Sequence, residues 1–262
     1  MMKKSESENS KRSRMLFAAG LFLVILAVFE LAGIQTEKLQ EETAYEKMMQ
    51  AAAEDQTKTH AKTRGKDKTS SDKTFDYREW NIDFEALQSI NEDIIGWIRF
   101  DYNGINYPIL KGNDNEEYLD TLPDGTKNLA GSIFMDSLCA SDFTDFHTIL
   151  YGHNMKNLTM FGKLKLYRMK QGYYEQNKYF TIYLPDAVCR YEIFAWYEVQ
   201  NEDSVYQVGF QDREAFDTFV EQMIQRRYRD TSVAADGEDT IVTLSTCSVK
   251  GKRFVVHGKL VG

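Results

Sequence analysis

The chain has 262 residues, is 42% hydrophobic and 27% charged, and carries 31 Phe and Tyr against three Pro, so it can bury a core and is not disordered throughout. Its formal charge of -8 excludes a nucleic-acid binder built on a basic face. The acidity is uneven: residues 1–74 hold 13 Lys and Arg against 11 Asp and Glu, whereas residues 75–262 hold 19 against 29.

Residues 1–14 form a basic tail with Lys3, Lys4, Lys11, Arg12 and Arg14. Residues 15–34, MLFAAGLFLVILAVFELAGI, are apolar apart from Glu30. As a helix they span about 30 Å, the thickness of a hydrocarbon core. Basic flanks stay on the cytoplasmic side, so a single-pass plasma-membrane anchor is expected, with residues 1–14 cytoplasmic and the rest outside. A cleaved signal peptide is the competing reading, but the apolar run exceeds the usual h-region of about 7–15 residues and lacks an Ala-x-Ala site. Residues 35–74 read as an extracellular stalk. Within it Glu37–Asp55 can form a polar helix, and Thr57–Thr74, rich in Lys, Thr and Ser, cannot bury enough surface to order itself.

The folded domain is expected over 75–262. Phe84, Leu87 and Ile90, with Ile94, Ile95 and Ile98, recur at helical spacing, and 83–93 is predicted as an amphipathic helix. Eight β segments follow: Ile94–Phe100, Ile105–Leu110, Gly131–Met135, His147–Tyr151, Tyr179–Leu184, Val188–Val199, Asp239–Leu244 and Arg253–Leu260. Turn signals such as Asn103-Gly104 and Pro123-Asp124-Gly125 separate many of them. That many short strands suggest a mostly β domain, a closed barrel or a sandwich, interrupted by helices. Helical pieces are predicted at Leu158–Leu166, Arg168–Tyr174 and, most clearly, Asp212–Tyr228 with Asp212 as N-cap.

The three cysteines, Cys139, Cys189 and Cys247, cannot close a disulfide framework, and none shows metal-ligand spacing. At least one thiol is therefore free. Cys247 follows an apolar strand and precedes a polar loop, a common setting for a reactive group, although a cysteine is as readily a small buried hydrophobe. His153, in Tyr151-Gly152-His153, also sits at a strand end, and its bland reading is structural or solvated. Arg253 opens the last strand. If 239–246 and 253–260 pair as a hairpin, its guanidinium lies near Cys247 and can stabilise a thiolate and an oxyanion; otherwise it is a surface cation.

The segments TLSTC ending in Cys247, YGH ending in His153, KRFVV containing Arg253, YPIL at 107–110, GSIFMD at 131–136, DNEEYL at 114–119 and TMFGKL at 159–164 together resemble a class B sortase, a cysteine transpeptidase of Gram-positive bacteria. The resemblance covers about residues 80–262 and the anchor, and the helix before the Cys-bearing strand favours class B over class A. It implies an eight-stranded β-barrel with an N-terminal helix and a helix inserted before that strand. It implies His153, Cys247 and Arg253 as the catalytic centre, with Ser245, Asn115, Leu119 and Tyr206 as substrate-binding positions. His257 reads as structural. No cofactor and no metal are expected.

The activity so implied is cleavage of a C-terminal sorting signal after Thr, a thioester on Cys247, and transfer of the protein to a peptidoglycan amine. The expected partners are surface proteins bearing that signal and the peptidoglycan precursor, with the enzyme a monomer at the membrane. Two alternatives stand beside this reading: a cysteine protease or hydrolase using the same residues with water as acceptor, and a non-catalytic surface module on a stalk.

Overall fold

The computed structural model describes residues 2–53, 77–247 and 251–262, with the side chains at 2–14, 18 and 247 outside that description. The Thr57–Thr74 stalk segment lies outside the described residues. Two compact units divide the chain, Met1–Thr43 and Ala44–Gly262. The first is helical and belongs to α1 (Met2–Ala53). Its apolar side chains, Leu16, Phe17, Phe22 and Phe29 among them, are exposed rather than packed on protein. Among the described residues this is the one helix long and apolar enough to cross a membrane.

In the second unit all eight expected β segments form strands: β1 (Ile94–Phe100), β2 (Asn106–Leu110), β3 (Ile133–Met135), β4 (His147–Tyr151), β5 (Tyr179–Tyr183), β6 (Val188–Gln200), β7 (Ile241–Cys247) and β8 (Lys252–Leu260). They close into a barrel in the order β1-β2-β3-β4-β7-β8-β6-β5. The β2/β3 and β4/β7 pairs are parallel and the rest antiparallel. Closure removes unpaired strand edges. Phe100, Ile109, Leu150, Phe180, Ile193, Leu244 and Val256 belong to the main core cluster.

The helices differ from expectation in length. α2 (Phe84–Ile90) starts where the Asp83 carboxylate accepts from the Ala86 amide, but it stops at Ile90 because Asn91 is extended and Ile94, Ile95 and Ile98 belong to β1. Over Leu158–Leu166 the chain makes only a short 3-10 turn, Phe161–Lys163, since Leu158 and Met160 hold positive φ of 65° and 51°. Over Arg168–Tyr174 it forms two single turns, α3 (Leu166–Met169) and α4 (Tyr173–Gln176), split at Gly172 with φ 75°. α5 (Arg213–Arg226) forms as expected, with Asp212 accepting from the Ala215 amide at 2.8 Å.

Two layers cover the outside of the barrel. Phe216, Phe219, Val220 and Met223 of α5 pack on Phe194, Tyr197 and Val199 of β6, Ile241 of β7 and Val255 of β8. The other layer corrects the stalk boundary. Residues 44–53 of α1 belong to the barrel unit: Met48 and Ala52 are fully buried against Leu87, Ile94, Trp97 and Tyr183, and Ala44 packs on Leu122 and Ala130. The segment reads as polar because its apolar residues make only a narrow stripe. Deleting most of the Met48 side chain leaves a void, so Met48→Ala is expected to lower unfolding free energy by about 2–5 kcal/mol in chemical denaturation.

Two buried histidines link β4, β7 and β8 beneath α5. His147 Nδ1 donates to the Gln207 carbonyl at 2.8 Å, so its Nε2 accepts the Thr243 hydroxyl proton at 2.7 Å. The same hydroxyl oxygen accepts Nδ1–H of His257 at 2.8 Å. Burial pushes His147 down to about 4, and burial together with the neighbouring His147 and Arg226 pushes His257 well below the usual histidine range. The folded pKa lies below the unfolded value, so the unfolded state takes up protons first as pH falls. The contribution of this pair to stability is complete above about pH 6.5 and declines towards about pH 4, by on the order of 3 kcal/mol for His147. Urea unfolding across pH 7.5 to 4.5 should show this slope, and His147→Asn should make it shallower while leaving the part due to His257.

Candidate active site

Register brings three of the expected residues to one end of the barrel. In the parallel β4/β7 pair Tyr151 lies beside Ser245, and the Gly152 amide donates to the Ser245 carbonyl at 3.1 Å. His153 and Cys247 are each two residues further along. In the antiparallel β7/β8 pair Cys247 lies directly opposite Arg253, so the expected hairpin forms. β7 is longer than expected and carries Cys247 as its last residue.

The other two thiols are poorly suited to nucleophilic work. Cys139 is buried, and that burial pushes its thiol up to about 12; burial also raises Cys189. A thiol held protonated is a weak nucleophile.

Above this rim opens a groove of about 240 Å3 lined by Asn115, Leu119, Phe134, Tyr151, Asn201, Tyr206 and Arg253. Three expected substrate positions, Asn115, Leu119 and Tyr206, thus face the same cavity as Arg253. Ser245 differs: it is fully buried, and its Oγ lies 2.9 Å from the Tyr206 hydroxyl. It is linked to the groove through the Tyr206 hydroxyl. Tyr206 in turn stacks near Tyr151, with ring centroids 6.2 Å apart.

Tyr206 is the last residue of a 3-10 turn, Ser204–Tyr206, started by Asp203, whose carboxylate accepts from the Val205 amide at 3.0 Å. Both Asp203 oxygens also take hydrogen bonds from Arg226 at 2.7 Å. That bidentate pair, with Arg226 the leading cause, holds Asp203 below the usual carboxylate range. Just past the turn, His147 holds the Gln207 carbonyl. The groove wall is therefore tied to α5 at one end and to β4 at the other.

His153 is half-buried, and its Nε2 lies 2.6 Å from the Leu119 carbonyl. A carbonyl only accepts, so Nε2 carries a proton and donates it to Leu119, and Nδ1 takes no part in this contact. Two glycines make this arrangement possible. A Cβ on Gly152 would meet Ile133 at 2.4 Å and Phe161 at 2.8 Å. A Cβ on Gly131, whose φ is +56°, would meet the Leu119 carbonyl oxygen at 2.4 Å. Neither glycine, nor Phe134, Tyr151 or Asn201, was singled out from the sequence, although GSIFMD and YGH contain four of the five.

A family model described as the sortase domain matches residues 98–261. Sortase B of Staphylococcus aureus is 30% identical over 247 residues, covering 92% of this chain and 94% of its own length. Sortase B of Listeria monocytogenes is 35% identical over 180 residues, covering 67% and 72%. Among solved structures, a Staphylococcus aureus sortase B–substrate complex superposes with a TM-score of 0.72 at 29% identity, over 86% of this chain and 98% of that one. Sortase B of Clostridium perfringens gives 0.65 at 29%, over 68% and 100%. The chain belongs to the sortase family, in its class B branch. That membership makes it a cysteine transpeptidase of cell-wall protein anchoring, on the eight-stranded barrel expected from the sequence.

Gly131→Ala tests the support of His153. The added methyl must displace the Leu119 carbonyl, and Å-scale misplacement of a catalytic group costs on the order of a hundredfold in rate. Peptide cleavage by the variant is expected to fall by at least about tenfold in kcat/KM, beyond what its thermal stability accounts for.

Proposed function

We propose that Cys247, His153 and Arg253 carry out a two-step transpeptidation on a C-terminal sorting signal. The observation that supports it best is the convergence at one barrel rim: the Cys247–Arg253 register pair and His153 beside a groove lined by Asn115, Leu119 and Tyr206. The Staphylococcus aureus relative has been solved as a sortase B–substrate complex, and the groove here is offered for the equivalent peptide.

In the first step the Cys247 thiolate attacks the carbonyl carbon of the Thr in the signal, at the bond to the residue that follows. The new C–S bond pushes the carbonyl electrons onto oxygen, and the Arg253 guanidinium, always charged and rich in donors, stabilises that oxyanion. Collapse breaks the C–N bond. His153, in its doubly protonated form, gives the Nδ1 proton to the departing amine. A thioester remains. In the second step a peptidoglycan amine attacks the thioester, His153 takes its proton, and the thiolate leaves. Hydrolysis follows the same path with water as the attacking group. The reaction uses no cofactor.

The membrane placement belongs to the same reading. Residues 15–34 are the anchor, with 1–14 cytoplasmic and the barrel outside. The exposed apolar surface of that helix and the basic residues before it support this. A surface enzyme so placed meets both a membrane-bound precursor and newly exported proteins.

The decisive experiment uses the full chain in detergent with a fluorogenic sorting-signal peptide. Cys247→Ala is expected to abolish cleavage while retaining the unfolding transition. Arg253→Ala should lose kcat more than KM. With an added amine nucleophile the wild-type product should shift from acid to amide. Wild-type cleavage by Cys247→Ala sinks the catalytic assignment, and an acid product at every amine concentration makes the enzyme a hydrolase.

A further inference from the structure

Asp136 directly follows β3 and does not line the groove. It is 5% exposed. Burying a carboxylate is costly unless donors replace its water. Three do so here. Oδ1 accepts from the Leu138 amide at 3.0 Å. Oδ2 accepts from Asn115 Nδ2 at 3.0 Å and from the Tyr151 hydroxyl at 2.8 Å. Two of the three donors are groove-lining side chains on opposite segments of chain.

Resting on the reading of the groove given above, we infer that Asp136 is a positioning residue for substrate: it sets the orientation of the Asn115 amide and the Tyr151 ring in the peptide groove. The chemistry of the contacts leaves little freedom. Asn115 Oδ1 accepts the Ser137 amide proton at 2.8 Å, while its Nδ2 donates to Asp136. A carboxylate cannot donate and a backbone N–H cannot accept, so a flipped amide would lose both bonds. One Nδ2 proton and one Oδ1 lone pair then remain for a ligand. This donor and acceptor pair matches what the backbone of an extended peptide presents.

The same carboxylate orders the facing wall. The Tyr151 hydroxyl is spent as a donor to Asp136, which holds its ring against Phe134 at 5.3 Å between centroids and beside Tyr206 at 6.2 Å. Tyr206 is tied to Ser245 on β7, two residues before Cys247. Asp136 touches none of His153, Cys247 or Arg253 by any described contact, so its effect falls on binding rather than on the chemical step.

Asp136→Asn separates these roles. The new amide can still accept from Leu138, but its NH2 then faces the NH2 of Asn115. Asn115 escapes only by flipping its NH2 onto the Ser137 amide, so one bond is lost either way. With the full chain and the fluorogenic sorting peptide, KM is expected to rise about ten- to hundredfold, with kcat within about twofold of wild type. Alkylation of Cys247 by iodoacetamide, which needs no groove, should keep its rate. The double variant, Asn115→Asp together with Asp136→Asn, reverses the direction of the hydrogen bond. The new carboxylate at position 115 accepts from the Ser137 amide and from the new carboxamide at position 136. This variant should recover most of any lost thermal stability and part of the KM.

An unchanged KM in Asp136→Asn, or a loss confined to kcat, overturns the inference. If Asp136→Asn does not fold, the double variant decides: recovery of the fold with no change in KM relative to Asn115→Asp alone also overturns it. Failure of the underlying reading looks different, because Cys247→Ala would then cleave the peptide whatever stands at position 136.

Discussion

Backbone hydrogen bonding between β4 and β7 runs parallel, with His147 beside Ile241 and Tyr151 beside Ser245. These strands are nearly a hundred residues apart in the chain, and everything at the rim depends on their register. Side chains alternate across a strand, so a slip of one residue would exchange Leu244, in the core, with Thr243 and Ser245, which meet His147 and Tyr206. The neutral hydroxyl relay from His147 through Thr243 to His257 opposes such a slip, since it satisfies these polar groups in one alignment. The contact that stabilises the barrel wall is therefore also what sets His153 and Cys247 at the same height.

The groove borrows its rigidity from elements far from it. Residues 203–207 have no regular structure beyond one 3-10 turn, yet Arg226 of α5 clamps Asp203 and His147 of β4 clamps Gln207. Arg226 also lies over the Tyr197 ring at 4.6 Å, and α5 is fixed by its own apolar face on β6. The helix inserted before β7 thus acts as a brace for Tyr206. It buries surface on one side and presents a guanidinium to the loop on the other.

Strand positions were legible in the sequence because most are runs rich in apolar residues and many are bounded by turn residues. So was α5, whose cap and apolar spacing are local. The Cys247–Arg253 pairing could be read because the two residues are only six positions apart in the chain. Long-range pairings were not legible. Trp196 reaches the core although Tyr197 and Phe194 pack outside, because a bulge between Ile193 and Ala195 shifts the alternation of β6. Residues 44–53 read as part of the stalk, since Ala44, Met48 and Ala52 make a stripe visible only when its partners across the barrel are known. Ser245 matched a substrate position but is fully buried, and its partner Tyr206 comes from a segment 39 residues earlier in the chain. Asp136 and Gly131 were quoted within GSIFMD without a role: nothing local distinguishes a carboxylate that holds two groove walls from one in a turn.

A side chain on a loop needs something to hold it, and His153 shows how this chain supplies it. Its carbonyl accepts from the Phe161 amide at 3.0 Å, the preceding Gly152 is bonded to Ser245, and its ring is held by Leu119. The backbone is thus fixed on two sides and the imidazole on a third. In the proposed transpeptidation His153 serves two different amines, one leaving and one arriving, and must present the same nitrogen both times. Nε2 is committed to a backbone carbonyl that cannot titrate, so the tautomer is set by the fold rather than by the substrate. The Leu119 carbonyl reaches that position because residue 131 has no side chain to obstruct it. One missing methyl group just before β3 thus helps to hold the imidazole on which the proposed mechanism relies.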